Sequence, residues 1–256
     1  MNKNSKQIEC IILAGGLGTR LRSMIGDEIP KPMAKINGLP FLEILLHQCA
    51  QSGLKHIILS IGYKAECIKE YFGANFLGLT LSYCRESSPL GTGGAIKNAL
   101  LSCASKYVLV LNGDSFLDIN LGEFFIHTSA QMQKDKNLLS MALKTLENTR
   151  YGGVKLDSKG IITHFSPCDS NLINAGIYCI DSHIFKKFDL DECFSFEKFI
   201  QEHCPDIKPL GFIKDSEFID IGVPQDYTKA QRFFANLKNT KSLSCSHTLL
   251  KNKEGS

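Results

Sequence analysis

Asp114 and Asp220 each follow an apolar, strand-like run: Tyr107–Leu111 with Asn112-Gly113, and Glu217–Asp220, which is followed by Gly222. Two hard oxygen ligands on different strands are what Mg²⁺ takes when water and phosphate complete its shell. Either aspartate alone reads first as a turn or cap residue and only second as a metal ligand. Cations suited to phosphate lie upstream, in ECIILAGGLGTRLRSMIGDEIPKPMAKI (Glu9 to Ile36), which carries Gly15, Gly16, Gly18, Arg20, Arg22 and Lys31. Glycines after a buried strand let backbone N–H groups approach phosphate oxygens, because no Cβ stands in the way. The same glycines would also serve a plain strand-to-helix turn. Pro30 and Pro32 fix φ on both sides of Lys31 and bias its backbone to an extended form, so its amine is presented at a defined place.

Two familiar phosphate sites do not fit. A dinucleotide fingerprint needs a third glycine three residues after the second and an acidic residue closing the next strand. Here Gly18 is followed by Thr19-Arg20-Leu21, and the second strand ends in Ser60-Ile61-Gly62. A Walker loop ends in Gly-Lys-Ser/Thr, which Gly18-Thr19-Arg20 does not supply. Ser88–Ala95, SPLGTGGA, is a second glycine-rich segment entering a helix.

These residues need a sheet to hold them. Apolar runs at Ile8–Ala14, His56–Ile61, Leu79–Tyr83, Tyr107–Leu111 and Leu138–Leu143 predict strands, with helices at Phe41–Ser52, Lys64–Phe72 and Gly94–Cys103 between the first four. The alternation predicts an α/β fold with a mostly parallel sheet and helices on both faces. Beyond about residue 150 shorter strands follow at Gly153–Leu156, Ile161–Phe165, Ile173–Ile180 and Glu217–Asp220, expected to extend the same sheet. A helix from Pro224 to about Leu237 closes the fold, so residues 1–238 read as one domain and 239–256 as a polar, mobile tail. Phe124, Phe125 and Ile126 read as the core-facing side of a helix ahead of an interface between copies, and the oligomeric state is not readable from the sequence.

The 256 residues carry 29 basic and 26 acidic side chains, a net charge of +3 without a basic stripe, so nucleic acid is not an expected partner. No apolar run approaches the roughly 20 residues that cross a bilayer, and the polar N-terminus lacks a signal-peptide core. A soluble, cytoplasmic protein without a membrane partner is expected. The ten cysteines show neither a CxxC pair nor zinc-ligand spacing, and most read as small buried hydrophobes.

LAGGLGTRL followed by PKPMAKI resembles the signature of the sugar-1-phosphate nucleotidyltransferases, and the resemblance continues through PLGTGGAIKNAL, VLNGDSF, LINAGIY and FIDIGVPQDY, about residues 8 to 237. Within that superfamily IPKPMAKINGLPFLE, YKAECIKEYF, LGTGGAIK and FSFEKFIQE look most like the manno-heptose 1-phosphate guanylyltransferases. The resemblance implies a Rossmann-like, GT-A type, three-layer fold with a small β-rich sugar-binding extension. It implies a nucleoside triphosphate and a sugar 1-phosphate as substrates, and Mg²⁺ on Asp114 and Asp220, with Arg20 and Lys31 as further catalytic residues. Nucleotide contacts would come from Leu13, Gly15, Gly16, Gly18, Thr19, Gly91 and Thr92, and sugar contacts from Gly152, Asn174 and Gly176.

Glu86 could accept from the ring N–H and exocyclic amine of guanine, or could be a solvated surface glutamate. Glu197 reads either as a sugar-hydroxyl acceptor or as a first-turn helix residue favoured by the dipole. In one place the chain departs from the pattern: many members carry a Glu-Lys pair where it has Ser166-Pro167-Cys168, and Lys155 is the next lysine along. Three alternatives therefore stay open: GTP with mannose 1-phosphate, UTP with N-acetylmuramate 1-phosphate, and a catalytically weak regulatory subunit that binds nucleotide sugars.

Overall fold

The computed structural model describes residues 8–241 apart from 17, 147–152 and 167–169. Gly152, Pro167, Cys168 and most of the predicted tail lie outside the described residues. The chain opens with β1 (Glu9–Leu13), the short helix α1 (Arg22–Ile25), a small hairpin of β2 (Lys35–Ile36) and β3 (Leu39–Pro40), and α2 (Phe41–Gln51). Next come β4 (His56–Ile61), α3 (Ala65–Phe72), β5 (Asn75–Phe76), β6 (Leu79–Arg85), α4 (Gly91–Leu100) and β7 (Tyr107–Asn112). The second half runs β8 (Ser115–Leu117), α5 (Leu121–Asp135), β9 (Leu139–Thr145), β10 (Gly153–Leu156) and β11 (Ile162–Ser166). It ends with β12 (Leu172–Asp181), α6 (Phe196–Ile207), β13 (Leu210–Ile213), β14 (Phe218–Asp220) and α7 (Pro224–Lys241).

Strands β6, β4, β1 and β7 lie side by side and parallel, so the chain steps outward from β1 to β4 and β6 and then crosses back to β7 on the other side of β1. At such a reversal the connections leave in opposite directions and a crevice opens beyond the carboxyl ends of the two strands. Antiparallel β12 continues the sheet beside β7, with Ile177 opposite Leu111, and also pairs β9 and β10. The sheet is buried on both faces, which explains the near-continuous apolar β1 and β4. Phe41, Leu42 and Leu45 of α2, Phe124 of α5 and Phe234 of α7 cover one face. Ile96 and Ala99 of α4 and Phe196, Phe199 and Ile200 of α6 cover the other.

Several expectations need correction. Glu217–Asp220 was expected to extend the main sheet, but β14 instead pairs β8, with Phe218 opposite Leu117 and Asp220 opposite Ser115. The turn at Gly113-Asp114 takes β8 out of the main sheet, and its backbone groups need partners that β14 supplies. Helix α4 begins three residues earlier than expected because the Phe194 carbonyl accepts from Gly93 N–H at 2.9 Å and satisfies the new N-terminus. Helix α7 continues past Leu237 to Lys241, overlapping the predicted tail. On α5, Phe124 is buried and Phe125 partly so, while Ile126 is 66% exposed. Cys10, Cys49, Cys179 and Cys204 are buried, and burial pushes the Cys179 thiol up to about 12. Among the described residues no helix is long and apolar enough to cross a membrane.

Candidate active site

The two loops leaving β1 and β7 are tied together at the strand-order reversal. Gly113 N–H donates to the Leu13 carbonyl at 3.0 Å, and a Cβ on Gly113 would collide with that oxygen. This puts Asp114 beside the glycine loop. Lys31 reaches the same point from the other direction: Nζ lies 2.5 Å from Asp114 Oδ2. The lysine is 9% exposed and, instead of the extended backbone expected before Pro32, it opens a short helical turn, Lys31–Met33, which Pro30 enters in an extended conformation.

Gly18 makes that approach possible. Its φ is +61°, and a Cβ there would sit 2.6 Å from Lys31 Cβ. Gly18→Ala is therefore expected to destabilise the chain by about 1–3 kcal/mol, read as a fall in melting temperature, because strain and collision act together. Gly16 is exposed, and a Cβ there would meet nothing within 4 Å, so a ligand can approach its backbone freely. Gly15 instead packs against the Glu86 carboxylate. Thr19 and Arg20 are exposed on the turn Thr19–Leu21, whereas Arg22 is engaged with Asp27 at 3.2 Å.

Asp220 comes to Asp114 through the β8–β14 ladder: Ile221 N–H donates to the Asp114 carbonyl at 2.9 Å, and Gly222 N–H donates to Asp220 Oδ1 at 2.5 Å. Among the described residues no group of three or more His, Cys, Asp or Glu side chains could cage a metal. Two carboxylates supply only part of a cation's shell, so a cation held there would complete it with water and phosphate oxygens.

Glu86 follows β6 and is held rather than solvated. Its Oε1 accepts from the Ser60 hydroxyl at 3.3 Å and its Oε2 from Leu90 N–H at 3.2 Å. The glycines of the second loop serve a purpose not foreseen: side chains at Gly91, Gly93 and Gly94 would meet Phe194 or the Glu192 carbonyl. The close approach they permit is to the chain's own 192–194 segment. Thr92 faces the same way, accepting from Phe196 N–H and donating to Glu197 Oε2, each at 2.8 Å. Glu197 is indeed in the first turn of α6, where the Ser195 hydroxyl also donates to Oε2 at 2.8 Å.

Asn174 and Gly176 form a bend at the start of β12. Gly176 has φ +75°, and a side chain there would strike Ser115 and Asn112. Asn174 Oδ1 accepts from Gly176 N–H at 2.9 Å, and its Nδ2 donates to the Tyr178 hydroxyl at 2.6 Å. Tyr178 was missed in the sequence, where it looks like one more apolar strand residue. It is fully buried, and its hydroxyl is held well above its ordinary pKa, first by burial and then by the charge of Glu197. The Asn174 amide donates to that hydroxyl and Asn112 lies near it, so the buried hydroxyl stays neutral between β7 and β12. Lys155 is exposed on β10.

A parallel sheet with a cation-bearing glycine loop and two carboxylates at its strand-order reversal defines an enzyme that acts on a nucleotide's phosphates. The chain belongs to the nucleotidyl transferase family, whose sequence profile matches residues 9–236. It is 45% identical over 224 residues to the D-glycero-alpha-D-manno-heptose 1-phosphate guanylyltransferase of Campylobacter jejuni, covering 86% of this chain and 97% of that one. The enzyme of that name from Aneurinibacillus thermoaerophilus is 41% identical over 231 residues, covering 88% and 97%. The crystal structure of HddC from Yersinia pseudotuberculosis complexed with GMP-PN superposes with a TM-score of 0.76 at 34% identity, covering 89% of this chain and all of that one.

Proposed function

We propose that the chain transfers GMP from GTP to D-glycero-α-D-manno-heptose 1-phosphate, yielding GDP-heptose and pyrophosphate. The observation that carries the reaction is the Lys31–Asp114 pair beside the glycine loop, with the backbone next to Asp220 bonded to the Asp114 carbonyl. The substrate pair is supported by the two relatives named for it. An oxygen of the sugar 1-phosphate attacks the α-phosphorus in line and pyrophosphate leaves. The attacking group is already an anion, so the site needs no general base. Its task is to hold two anions together and to neutralise them.

Backbone amides of Gly15, Gly16 and Gly18, with Arg20, hold the triphosphate, and Lys31 brings a buried positive charge to it. Asp114 and Asp220 would hold Mg²⁺, which supplies charge to the reacting and leaving phosphates. Asn174 and Glu197 lie on the sugar side. Glu86, fixed by Ser60 and Leu90, accepts from both donors on the Watson–Crick edge of guanine, which uracil does not present together. Glu86→Gln removes the charge and makes one acceptor a donor. The expected result is a rise of about tenfold in KM for GTP with a nearly unchanged KM for the sugar phosphate.

The test is pyrophosphate release with Mg²⁺, each nucleoside triphosphate and a panel of sugar 1-phosphates. Release should be fastest with GTP and the manno-heptose phosphate. Faster release with mannose 1-phosphate or with UTP would replace the substrate assignment.

A further inference from the structure

The link between Thr92 and Glu197 joins residues 105 apart in the sequence and connects the base-side loop to the sugar-side helix. A threonine hydroxyl has one proton to give. Thr92 gives it to Glu197 Oε2 and accepts from Phe196 N–H, both at 2.8 Å, so it has no proton left for a ligand. Ser195 donates to the same Oε2 at 2.8 Å, which leaves the plane of the carboxylate little freedom. Among the described residues no hydrogen bond reaches the other oxygen, Oε1. The backbone repeats the connection: Phe194 N–H donates to the Leu90 carbonyl at 3.0 Å, and Gly93 N–H donates to the Phe194 carbonyl at 2.9 Å. Helices α4 and α6 are thus docked start to start.

We infer that Thr92 is a positioning residue: acting through Glu197, it sets the sugar-side carboxylate in register with the loop that edges the base. The inference rests on the proposed placing of the sugar hydroxyls at Glu197. It leaves the Thr92 hydroxyl no proton to give the nucleotide, so a nucleotide contact at this residue would come from its backbone. A clamp of this kind favours a single relative geometry of the two substrates, which an in-line reaction rewards.

The experiment compares Thr92→Val, Thr92→Ser, Glu197→Gln and the Thr92→Val/Glu197→Gln double variant, with KM measured separately for each substrate and with melting temperatures. Thr92→Val should raise KM for the sugar phosphate about tenfold, the effect of losing a hydrogen bond to a charged group, and leave KM for GTP within about twofold. Serine keeps the hydroxyl and should restore the wild-type value. Because the two residues act as a unit, the double variant should be no worse than Glu197→Gln alone.

A rise in KM for GTP instead, or effects of the two changes that multiply, would overturn the inference. Glu197→Gln still accepts from Thr92 and should fold even if the valine variant does not; an unchanged sugar KM in it would also overturn the inference. If the wild type prefers another sugar phosphate, the substrate assignment falls, and the same cycle run with that sugar still decides whether Thr92 and Glu197 are coupled.

Discussion

Lys31→Met is expected to lower kcat by about 10²–10³, the loss seen when one preorganised charge is removed from a reacting anion. Methionine keeps the unbranched apolar stem of the lysine and lacks only its terminal ammonium, so the turn between Pro30 and Pro32 can form around it. What goes is the ammonium 2.5 Å from Asp114. Water around a surface lysine would compensate for much of such a loss, but Lys31 is 9% exposed and approaches from a fixed backbone. Some destabilisation is also expected, because Asp114 loses its partner. Its side chain is 38% exposed, however, so solvent screens much of that cost. Steady-state kinetics beside a thermal melt would separate the two effects. A melting temperature within a few degrees and a hundredfold fall in kcat is the expected pattern. A fall in melting temperature with full activity would make Lys31 a structural residue.

Asp114→Asn should cost a similar factor of about 10²–10³ in turnover while leaving nucleotide affinity within about tenfold. The amide is nearly isosteric and can still accept from Lys31, so the local fold should survive. The charge that would hold Mg²⁺ against Asp220 is gone. The dependence of rate on Mg²⁺ concentration should therefore shift to higher concentration, and in a chain where Asp114 only caps a turn it would not shift. The same variant addresses the reading of a catalytically weak binder: a metal-independent nucleotide-sugar binder would keep its affinity and would have had no turnover to lose.

Most of what could be read in the sequence is local. The runs that became β1, β4 and β7 were recognisable because strands buried on both faces are apolar throughout. Gly18 and Pro30-Lys31-Pro32 stood out because backbone constraints leave few residue choices. What was not readable depends on contacts between distant segments. The β8–β14 ladder joins residues 115–117 to 218–220, and no local pattern indicates that Asp220 will lie opposite Ser115, next to Asp114 in the chain, rather than end another strand of the main sheet.

Gly91 reads as a nucleotide contact by resemblance, and no local pattern shows that Gly91, Gly93 and Gly94 also clear Phe194 and the Glu192 carbonyl, since a glycine that accommodates a ligand and one that accommodates another chain segment look alike in sequence. Tyr178 was hidden for a related reason. Its ring belongs to the apolar pattern of β12, and only the fold shows that Asn112 and Asn174 meet its hydroxyl. Resemblance to a family supplied the roles that spacing could not, and the bonds of the Thr92 hydroxyl to Phe196 and Glu197 are a contact that no local pattern announces.

In the proposed reaction a sugar 1-phosphate attacks the α-phosphorus of the nucleotide. The most direct measurement starts from a sugar 1-phosphate carrying ¹⁸O in its non-bridging phosphate oxygens and follows the label by ³¹P NMR in the presence of GTP and Mg²⁺. The account predicts that all label appears in the nucleotide sugar, with one labelled oxygen bridging its two phosphorus atoms, and that the pyrophosphate is free of it. Label in the released pyrophosphate or phosphate would place the attack elsewhere and contradict the mechanism.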